Sequence, residues 1–314
     1  MTESTMNLKT GVSPVRKRMK KLGTVDIGVV ETTPVVWKDR LLRFEWVRNS
    51  GWGFYHRRPR DKGCYHFVDM TTGEETPDFA EGYSFGCCYE NGGEMFVVGV
   101  EGPGGGRRLD AFVSRDLVNW EKRPVLEFPE DIRLYNTSVC FDGEKYLMAI
   151  EIGGKNPAVG VGFTAVFARS DDLVEWELLD MKEYSFNPKR YTGCPTVRSY
   201  GGYYYLICLE ALPLERYAPY IYRSRDLVNW EPGVVNPIMF FDDQDKLIAP
   251  GISFSEEELK LIGDSVNCND SDVDLCEYRG KTVILYSWGN QHGKEFLAKA
   301  EYDGGEREFL ESFF

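Results

Sequence analysis

Apolar and polar positions alternate in short segments along the chain, and dipeptides rich in glycine or charge separate these segments. Alternation with a period of two is typical of half-buried β-strands. The turn dipeptides are Lys38-Asp39, Gly92-Gly93, Asp142-Gly143, Gly201-Gly202 and Arg279-Gly280, and the aromatic-rich strands after them are Leu41 to Val47, Met95 to Val100, Tyr146 to Ile152, Tyr203 to Leu209 and Val283 to Ser287. The pattern predicts five hairpins in an all-β chain.

A seven-residue motif, Ser-x-Asp-Leu-x-x-Trp, occurs three times in the middle of the chain. Its copies start at Ser114, Ser170 and Ser224, at offsets of 56 and 54 residues, and end at Trp120, Trp176 and Trp230. Each copy follows an apolar strand and precedes another strand, so we interpret it as a tight connection whose Leu and Trp fill the space beside adjoining strands. Repeats at such periods are typical of propellers. Together with the five hairpins, they predict a five-bladed β-propeller.

Two further signals define the domain organisation. Ser255 and Glu258 form a capping box ahead of an apolar helical face, which predicts one short helical insertion between blades 4 and 5. Because a propeller must close, a strand from Thr24 to Val29 is expected to complete the last blade beside the C-terminal strands. Residues 24–314 are thus predicted to form a single propeller domain, and residues 1–23 a basic N-terminal arm.

Composition narrows the class of protein. The 314 residues are 42% apolar, which is enough to bury a substantial core, and the net charge of −13 disfavours nucleic acid as a partner. No apolar run approaches the roughly 18 to 20 residues that cross a membrane, and none follows the basic residues near the N-terminus. We therefore expect no membrane partner and a cytoplasmic location. The eight cysteines include no Cys-x-x-Cys pair, which predicts reduced thiols.

Carboxylates recur at positions that a propeller brings to one mouth of its channel. In each blade, the start of the inner strand and the end of the second strand lie at the same face. The inner-strand starts include Glu31, Asp272 and Asp274, and the second strands end near Glu45, Glu101, Glu151 and Glu210. Such acids are either solvated or paired with arginines, or two of them form the general acid and base that glycosidic bond hydrolysis requires. Aromatic residues near the same rim would stack on sugar rings: Trp52, Phe54, Tyr135, Tyr191 and Trp288.

The chain resembles a known group of enzymes over roughly residues 25 to 310. The strand starts Thr33-Pro34-Val35, Thr137-Ser138-Val139 and Cys194-Pro195-Thr196, with the repeated motif, are similar to the five-bladed propeller glycosidases of family 43 and its clan F relatives, families 117 and 130. The segment 270–298 also resembles a bacterial set of family-43-like proteins. The resemblance implies a propeller fold and chemistry on glycosides.

The catalytic triad of family 43 is only partly matched. Its base, its pKa-tuning acid and its general acid stand at the inner-strand starts of blades 1, 3 and 4, which correspond here to Glu31, Asn136 and a position near Gly193. Asparagine and glycine cannot perform the second and third roles. Replacement acids are expected from blade 5 (Asp272, Asp274) or from the second-strand ends (Glu151, Glu210), and the resemblance to family 117 adds His292.

These observations predict an inverting glycoside hydrolase that acts on the terminal sugar of an oligosaccharide. Glu31 is the expected base and Glu210 the expected acid, with Glu151 and His292 as alternatives for the acid. The predicted substrate-binding residues are Asn136, Arg190, Arg198, Trp288, His66 and His292.

Other interpretations stay open. A glycoside phosphorylase could hold phosphate with Arg43, Arg190 and Arg198, and a non-catalytic carbohydrate-binding propeller could retain the pocket without the triad. No cofactor is required by the motifs, although a channel cation such as Ca²⁺, ligated with the help of His66 and His292, is compatible with them. The sequence also leaves a homo-oligomer open.

Overall fold

The computed structural model describes residues 19–48, 57–58, 60–153, 162–187, 189–290 and 292–314. Within these residues the chain forms 19 strands, β1 to β19, and two short helices. The strands fall into five consecutive antiparallel groups, which we call blades 1 to 5. The predicted basic arm lies largely outside the described residues, as do Trp52 and Phe54.

The strands of the five blades follow one another along the chain, except for the strand that closes blade 5. Blade 1 consists of β2 (Thr33–Trp37), β3 (Arg40–Val47) and β4 (Cys64–Asp69). Blade 2 consists of β5 (Tyr83–Asn91), β6 (Glu94–Glu101), β7 (Arg108–Ser114) and β8 (Glu121–Glu127). Blade 3 consists of β9 (Arg133–Phe141), β10 (Tyr146–Gly153), β11 (Thr164–Ser170) and β12 (Glu177–Leu178). Blade 4 consists of β13 (Thr192–Tyr200), β14 (Tyr203–Leu212), β15 (Arg216–Ser224) and β16 (Glu231–Pro232). Blade 5 consists of β17 (Asn269–Tyr278), β18 (Lys281–Gly289), β19 (Glu295–Tyr302) and β1 (Met19–Ile27).

The first strands of the blades surround a central channel. Contacts run from β2 to β5, β9, β13 and β17 in turn, and β17 contacts β2 again. This closed ring of antiparallel groups is a β-propeller, so the all-β propeller prediction is confirmed. β1 closes the ring from the N-terminal side by pairing with β19, from Met19 opposite Tyr302 to Ile27 opposite Phe296. β1 begins at Met19, so residues 19–23 belong to blade 5 and not to the predicted arm.

The hairpin turns explain why the blades are so regular. In four of the five predicted hairpins, two residues connect the strands, and both have positive φ: Lys38 and Asp39, Gly92 and Gly93, Gly201 and Gly202, and Arg279 and Gly280. Two-residue turns of this kind match the right-handed twist of the flanking strands. In blade 3 the connection spans residues 142–145, and the Asp142 side chain caps it by accepting hydrogen bonds from the Glu144 and Lys145 amides.

The three copies of Ser-x-Asp-Leu-x-x-Trp have one local structure. In each copy the Ser Oγ accepts a hydrogen bond from the Leu amide at 2.9 to 3.0 Å, and the Leu has φ between 62° and 65°. The tryptophan then packs against the preceding blade. The ring pairs are Trp120 with Phe79 at 3.9 Å, Trp176 with Phe96 at 6.3 Å and Trp230 with Phe167 at 5.9 Å. The motif is therefore architectural, as predicted, and joins neighbouring blades.

Two helices complete the described part of the chain. α1 (Glu256–Asp264) lies between β16 and β17 with the predicted capping box of Ser255 and Glu258. α2 (Glu306–Glu311) was not predicted, and its Phe309 packs into the core shared by blades 4 and 5. Neither helix is long and apolar enough to cross a membrane.

Candidate active site

Bulges turn the same position of several inner strands toward the channel. In β5, β13 and β17 the ladder is interrupted at Phe85-Gly86, Cys194-Pro195 and Asp272-Val273, where two residues oppose one. The first residue of each bulge has positive φ (54°, 50° and 51°), and Glu31, just before β2, has φ 57°. Non-glycine residues rarely adopt this conformation, and such strained positions and bulges concentrate at functional sites.

A small cavity lies where these positions meet. It encloses about 30 Å³, and its lining includes Glu31, Cys194 and Asp272 together with Asn136 and Asp274. The space is sufficient for about one water molecule. The prediction that Glu31 and the blade 5 acids reach one cavity therefore agrees with the lining. A larger ligand must bind above this cavity, at the channel mouth.

Glu151 approaches the same place from blade 3. It lies opposite the bulge at Tyr135-Asn136, and its Oε2 accepts hydrogen bonds from Asn136 Nδ2 at 2.8 Å and from the Cys194 amide at 3.1 Å. A Cβ at Gly193 would stand 3.0 Å from Glu151 Oε1. Gly193, which occupies the general-acid position of the resemblance, thus leaves the space into which the carboxylate of Glu151 fits.

The carboxylates of Glu31, Asp272 and Glu151 influence one another. The pKa of Glu151 is raised to about 7, and burial is the largest cause. The hydrogen bonds from Asn136 and Cys194 oppose this rise, and the negative charge of Asp272 adds to it. Burial also raises the pKa of Glu31 well above its usual value; Arg48 opposes this rise, while Asp272 and Glu151 add to it. In a ring of five blades, blade 3 stands across from the junction of blades 5 and 1. Glu151 belongs to blade 3, whereas Glu31 and Asp272 belong to blades 1 and 5.

Cys194 is not a nucleophile in this arrangement. Burial, followed by the charges of Asp272 and Glu151, raises the pKa of its thiol well above the usual value. The thiol stays protonated at neutral pH, and a thiol is a weak nucleophile compared with a thiolate. Its neighbour Tyr191 is held neutral for the same reasons, since burial raises the pKa of its hydroxyl.

Five aromatic rings form a continuous series beside the carboxylates, which we call the aromatic arc. The rings are Phe85, Tyr135, Phe163, Tyr191 and Tyr217, with successive centroids 5.3, 5.2, 5.2 and 6.2 Å apart. Gly153 allows the Tyr135 ring to lie close over the end of β10, because a Cβ at this position would stand 2.3 Å from the ring. Tyr135 and Tyr191 were predicted as rim aromatics. Phe163 and Tyr217 were missed because they are not at inner-strand starts: Phe163 lies just before the third strand of blade 3, and Tyr217 lies on the third strand of blade 4.

Glu210 and its neighbour Arg190 occupy a different place from the one predicted. Glu210 pairs with Thr192, two residues before the bulge, and its carboxylate is bound by Arg190 Nη2 at 2.5 Å and by the Tyr222 hydroxyl. Glu210 is therefore a paired acid set back from the carboxylates of the small cavity. The pairing also occupies Arg190, which was predicted to bind substrate.

Asp274 and Arg198 belong mainly to the opposite end of the channel. Arg198 Nη2 lies 2.5 Å from Asp274 Oδ1, and its Nε lies 3.2 Å from Glu306 Oε1. All three line a separate chamber of about 520 Å³. Asp274 forms part of the floor of the small cavity, but its carboxylate is committed to Arg198. The predicted catalytic role of Asp274 and the substrate-binding role of Arg198 are thus not supported by their contacts.

Three other predicted substrate-binding residues lie elsewhere. Trp288 is fully buried, donates from Nε1 to Thr24 Oγ1 at 2.9 Å and stacks on Phe296, so it is a core residue. His66 is buried between Glu45, at 2.8 Å, and Asp78, at 3.1 Å. His292 is exposed and lies 3.6 Å from Glu215.

A channel cation, which the sequence leaves open, gains no support from the two histidines. Neither His66 nor His292 lines the small cavity. Across the described residues, no group of three or more His, Cys, Asp and Glu side chains could hold a metal ion.

Two features of the mouth could not be read from the sequence. Arg48 Nη1 binds Glu295 Oε2 at 2.6 Å, and Arg48 Nη2 stands 3.9 Å from Glu31, although Arg48 and Glu295 are 247 residues apart. In the described part of the chain, the buried oxygens Glu31 Oε2 and Thr32 Oγ1, whose residues line the small cavity, have no hydrogen-bond partner. Buried polar atoms are usually satisfied, so these oxygens mark a place where a ligand or water would bind.

Known structures share this fold at low sequence identity. No protein-family model and no curated protein matches the chain. The catalytic domain of a GH62 α-L-arabinofuranosidase from Coprinopsis cinerea aligns with TM-score 0.61 and 11% identity, over 91% of this chain and 96% of that one. The Bacteroides ovatus protein described as xyloglucan PUL GH43B aligns with TM-score 0.57 and 13% identity, over 90% and 54%. The Bombyx mori GH32 β-fructofuranosidase BmSUC1 aligns with TM-score 0.55 and 14% identity, over 90% and 61%.

Proposed function

We propose that this chain is a glycoside hydrolase that uses Glu151 and Asp272 as its acid and base. The observation that carries the proposal is that Glu31 and Asp272 line one small cavity beside an aromatic arc, while Glu151 is hydrogen-bonded to two residues of the same lining, Asn136 and Cys194. Hydrolysis of a glycosidic bond needs one protonated and one ionised carboxyl group on opposite sides of the bond. The similarity in fold to glycoside hydrolases of several families supports the same class of reaction.

Glu151 is suited to the general acid. Its pKa of about 7 leaves much of it protonated at neutral pH, which a proton donor to the leaving oxygen requires. Because Oε2 already accepts two hydrogen bonds, the proton is held at Oε1, which lies beside Gly193. The proton donor would therefore be Oε1.

Asp272 is suited to the base. It lines the small cavity with Glu31 and accepts a hydrogen bond from Ser271 Oγ at 2.6 Å. In the proposed reaction, Asp272 takes a proton from water, and the water oxygen bonds to the anomeric carbon as the glycosidic bond from that carbon to the leaving oxygen breaks. The leaving oxygen takes the proton of Glu151. Burial raises the pKa of Glu31, which the sequence favours as base, so we assign Glu31 a hydrogen bond to the sugar or to the water. Because the two groups come from different blades, we expect inversion, which requires carboxyl groups about 6.5 to 9.5 Å apart.

Phosphorolysis is less well supported. The three arginines that a phosphorylase could use are all engaged with carboxylates: Arg43 with Asp26 and Glu45, Arg190 with Glu210, and Arg198 with Asp274 and Glu306. A phosphate ion would have to displace an internal partner from one of them. We therefore expect turnover that does not depend on phosphate.

Substrates with different leaving groups test the roles. Asp272→Asn should lower kcat by about 10²- to 10⁴-fold on every substrate, as is typical of losing a general base. Glu151→Gln should cause a similar loss on oligosaccharides but a much smaller one on dinitrophenyl glycosides, whose leaving group needs no proton. Glu31→Gln should have the smallest effect of the three. NMR of the first-formed product would report its anomeric configuration.

The opposite results are equally informative. A loss in Glu31→Gln as large as that in Asp272→Asn would return the base role to Glu31. Binding of glycans without any turnover would instead support the non-catalytic alternative.

A further inference from the structure

We infer that the aromatic arc is the binding surface for the sugars that follow the one being cleaved, and that these sugars are neutral. The inference rests on the proposed function and extends it from the carboxylates to the path of the glycan. The terminal sugar would lie over Glu31, Asp272 and Glu151, and the rest of the chain would run across blades 2 to 4.

The mouth of the channel has two unlike sides. On blades 5 and 1 its residues are charged, with Arg48, Glu295, Glu31 and Asp272 close together. On blades 2 to 4 the five rings of the arc form a curved wall, with successive planes tilted by 44° to 70°. Among the residues that the structure describes, a glycan that leaves the carboxylates therefore meets the half-buried rings of the arc on the side of blades 2 to 4.

The arc is open to a ligand and is built at a cost in backbone strain. Four of its rings, those of Tyr135, Phe163, Tyr191 and Tyr217, are only half-buried, whereas Phe85 is buried at its inner end. Phe85 and Phe163 have positive φ, 54° and 59°. Strain of this kind at large side chains persists where the surroundings enforce it, and it concentrates at ligand clamps.

Charge selects the class of sugar. Arg48 is bound to Glu295 and Arg190 to Glu210, so both of these arginines already serve carboxylates of the protein. The acids Glu31, Asp272 and Glu151 surround the position of the terminal sugar, and the whole chain carries a charge of −13. An ionised Asp272 would repel a uronic carboxylate or a sulfate at the terminal sugar, and Arg133, which lies 5.9 Å from the Tyr135 ring, already donates to the Gly104 carbonyl. A neutral oligosaccharide places hydroxyls on the acids and the apolar faces of its rings on the arc.

Binding measurements separate this inference from the catalytic proposal. A broad array of neutral and acidic glycans, probed with the Glu151→Gln protein, would identify the sugar series. Calorimetry would then follow that series from disaccharide to hexasaccharide. Affinity should rise with length, and Phe163→Ala and Tyr217→Ala should each weaken the longest ligand by about 10-fold while affecting the disaccharide less. Phe141→Ala, which removes a partly exposed ring at the other end of β9, serves as the matched control and should change nothing.

The outcomes are distinct. Equal losses for short and long ligands, no loss in either arc variant, preferential binding of acidic glycans, or no binding to the array would overturn the inference. If the wild-type protein binds long neutral glycans through the arc but turns none of them over, the inference holds and the catalytic proposal fails. If turnover occurs without any dependence on chain length, the reverse applies.

Discussion

The interfaces between blades 1 and 2, 2 and 3, and 3 and 4 differ from the seam between blades 5 and 1. Each of the first three contains one tryptophan of the repeated motif in an apolar cluster. The seam instead contains buried ion pairs, in which Asp26 of β1 binds Arg43 at 2.5 Å and Arg58 at 2.8 Å, and Arg48 binds Glu295 at 2.6 Å. A cavity of about 910 Å³ lies beside these residues.

The difference shows where the fold is optimised for stability and where it serves chemistry. Apolar interfaces contribute free energy roughly in proportion to the buried area, whereas buried ion pairs gain little net stability over apolar packing. Two of the three carboxylates of the site, Glu31 and Asp272, stand on the blades that form the seam. The polar seam therefore stabilises the fold less than an apolar interface would, on the two blades that carry Glu31 and Asp272.

The tryptophan interfaces should show the largest effect on stability. Trp176 is buried between blades 2 and 3, so Trp176→Ala should lower the free energy of unfolding by about 3 to 5 kcal/mol through lost burial and the cavity left behind. Urea denaturation followed by circular dichroism would measure the change. Val118→Ala, at an exposed position of another copy of the motif, should be nearly neutral. A loss below about 1 kcal/mol for Trp176→Ala would show that the motif does not join the blades.

The ion pairs of the seam should show the second largest effect on the free energy of unfolding. Asp26→Asn removes the negative charge shared by Arg43 and Arg58 and leaves a buried cation under-compensated, so we expect a loss of about 3 kcal/mol. Replacing Asp26 and Arg43 together with apolar residues should cost less than the single change. If the double variant is instead the less stable of the two, the ion pair is a net source of stability and the comparison must be revised.

The sequence allowed most of the fold to be predicted but only part of the site. Hairpin turns and the tryptophan motif depend on local residues, so they were identifiable, and Glu31, Asp272 and Glu151 were among the candidates. A single bulge changes which residues share a face: Asp272 and Asp274 would lie on one face of a regular strand, yet the bulge at Asp272-Val273 separates their roles. Trp288 was misassigned because its burial depends on Thr24, 264 residues away.

The decrease in the free energy of unfolding at acid pH should reveal the contribution of Glu45, which binds Arg43 beside the seam. Burial opposes ionisation of Glu45, but Arg43, followed by His66 and Arg58, overcomes it and lowers the pKa of Glu45 to about 2. A group with a depressed pKa stabilises the fold above its ordinary pKa, and this contribution is lost as the pH falls from about 4.5 to about 2. We expect Glu45 to contribute about 2 kcal/mol to the loss over that window. In Glu45→Gln the profile should be flatter there, and an unchanged slope would remove Glu45 from the network.

The smallest and most informative effect concerns Glu151, because its sign is opposite to that of Glu45. The pKa of Glu151 is raised to about 7, so the folded state binds its proton more tightly than the unfolded chain does. The wild-type protein should therefore lose stability as the pH rises from about 4.5 to about 7. Glu151→Gln has no proton to lose, and its amide oxygen can still accept from Asn136 and the Cys194 amide. The variant should match the wild type at pH 4 and exceed it by about 1 to 2 kcal/mol at pH 8, while losing activity on oligosaccharides. Equal stability at both pH values would mean that Glu151 is ionised without cost, and it could not then serve as the general acid.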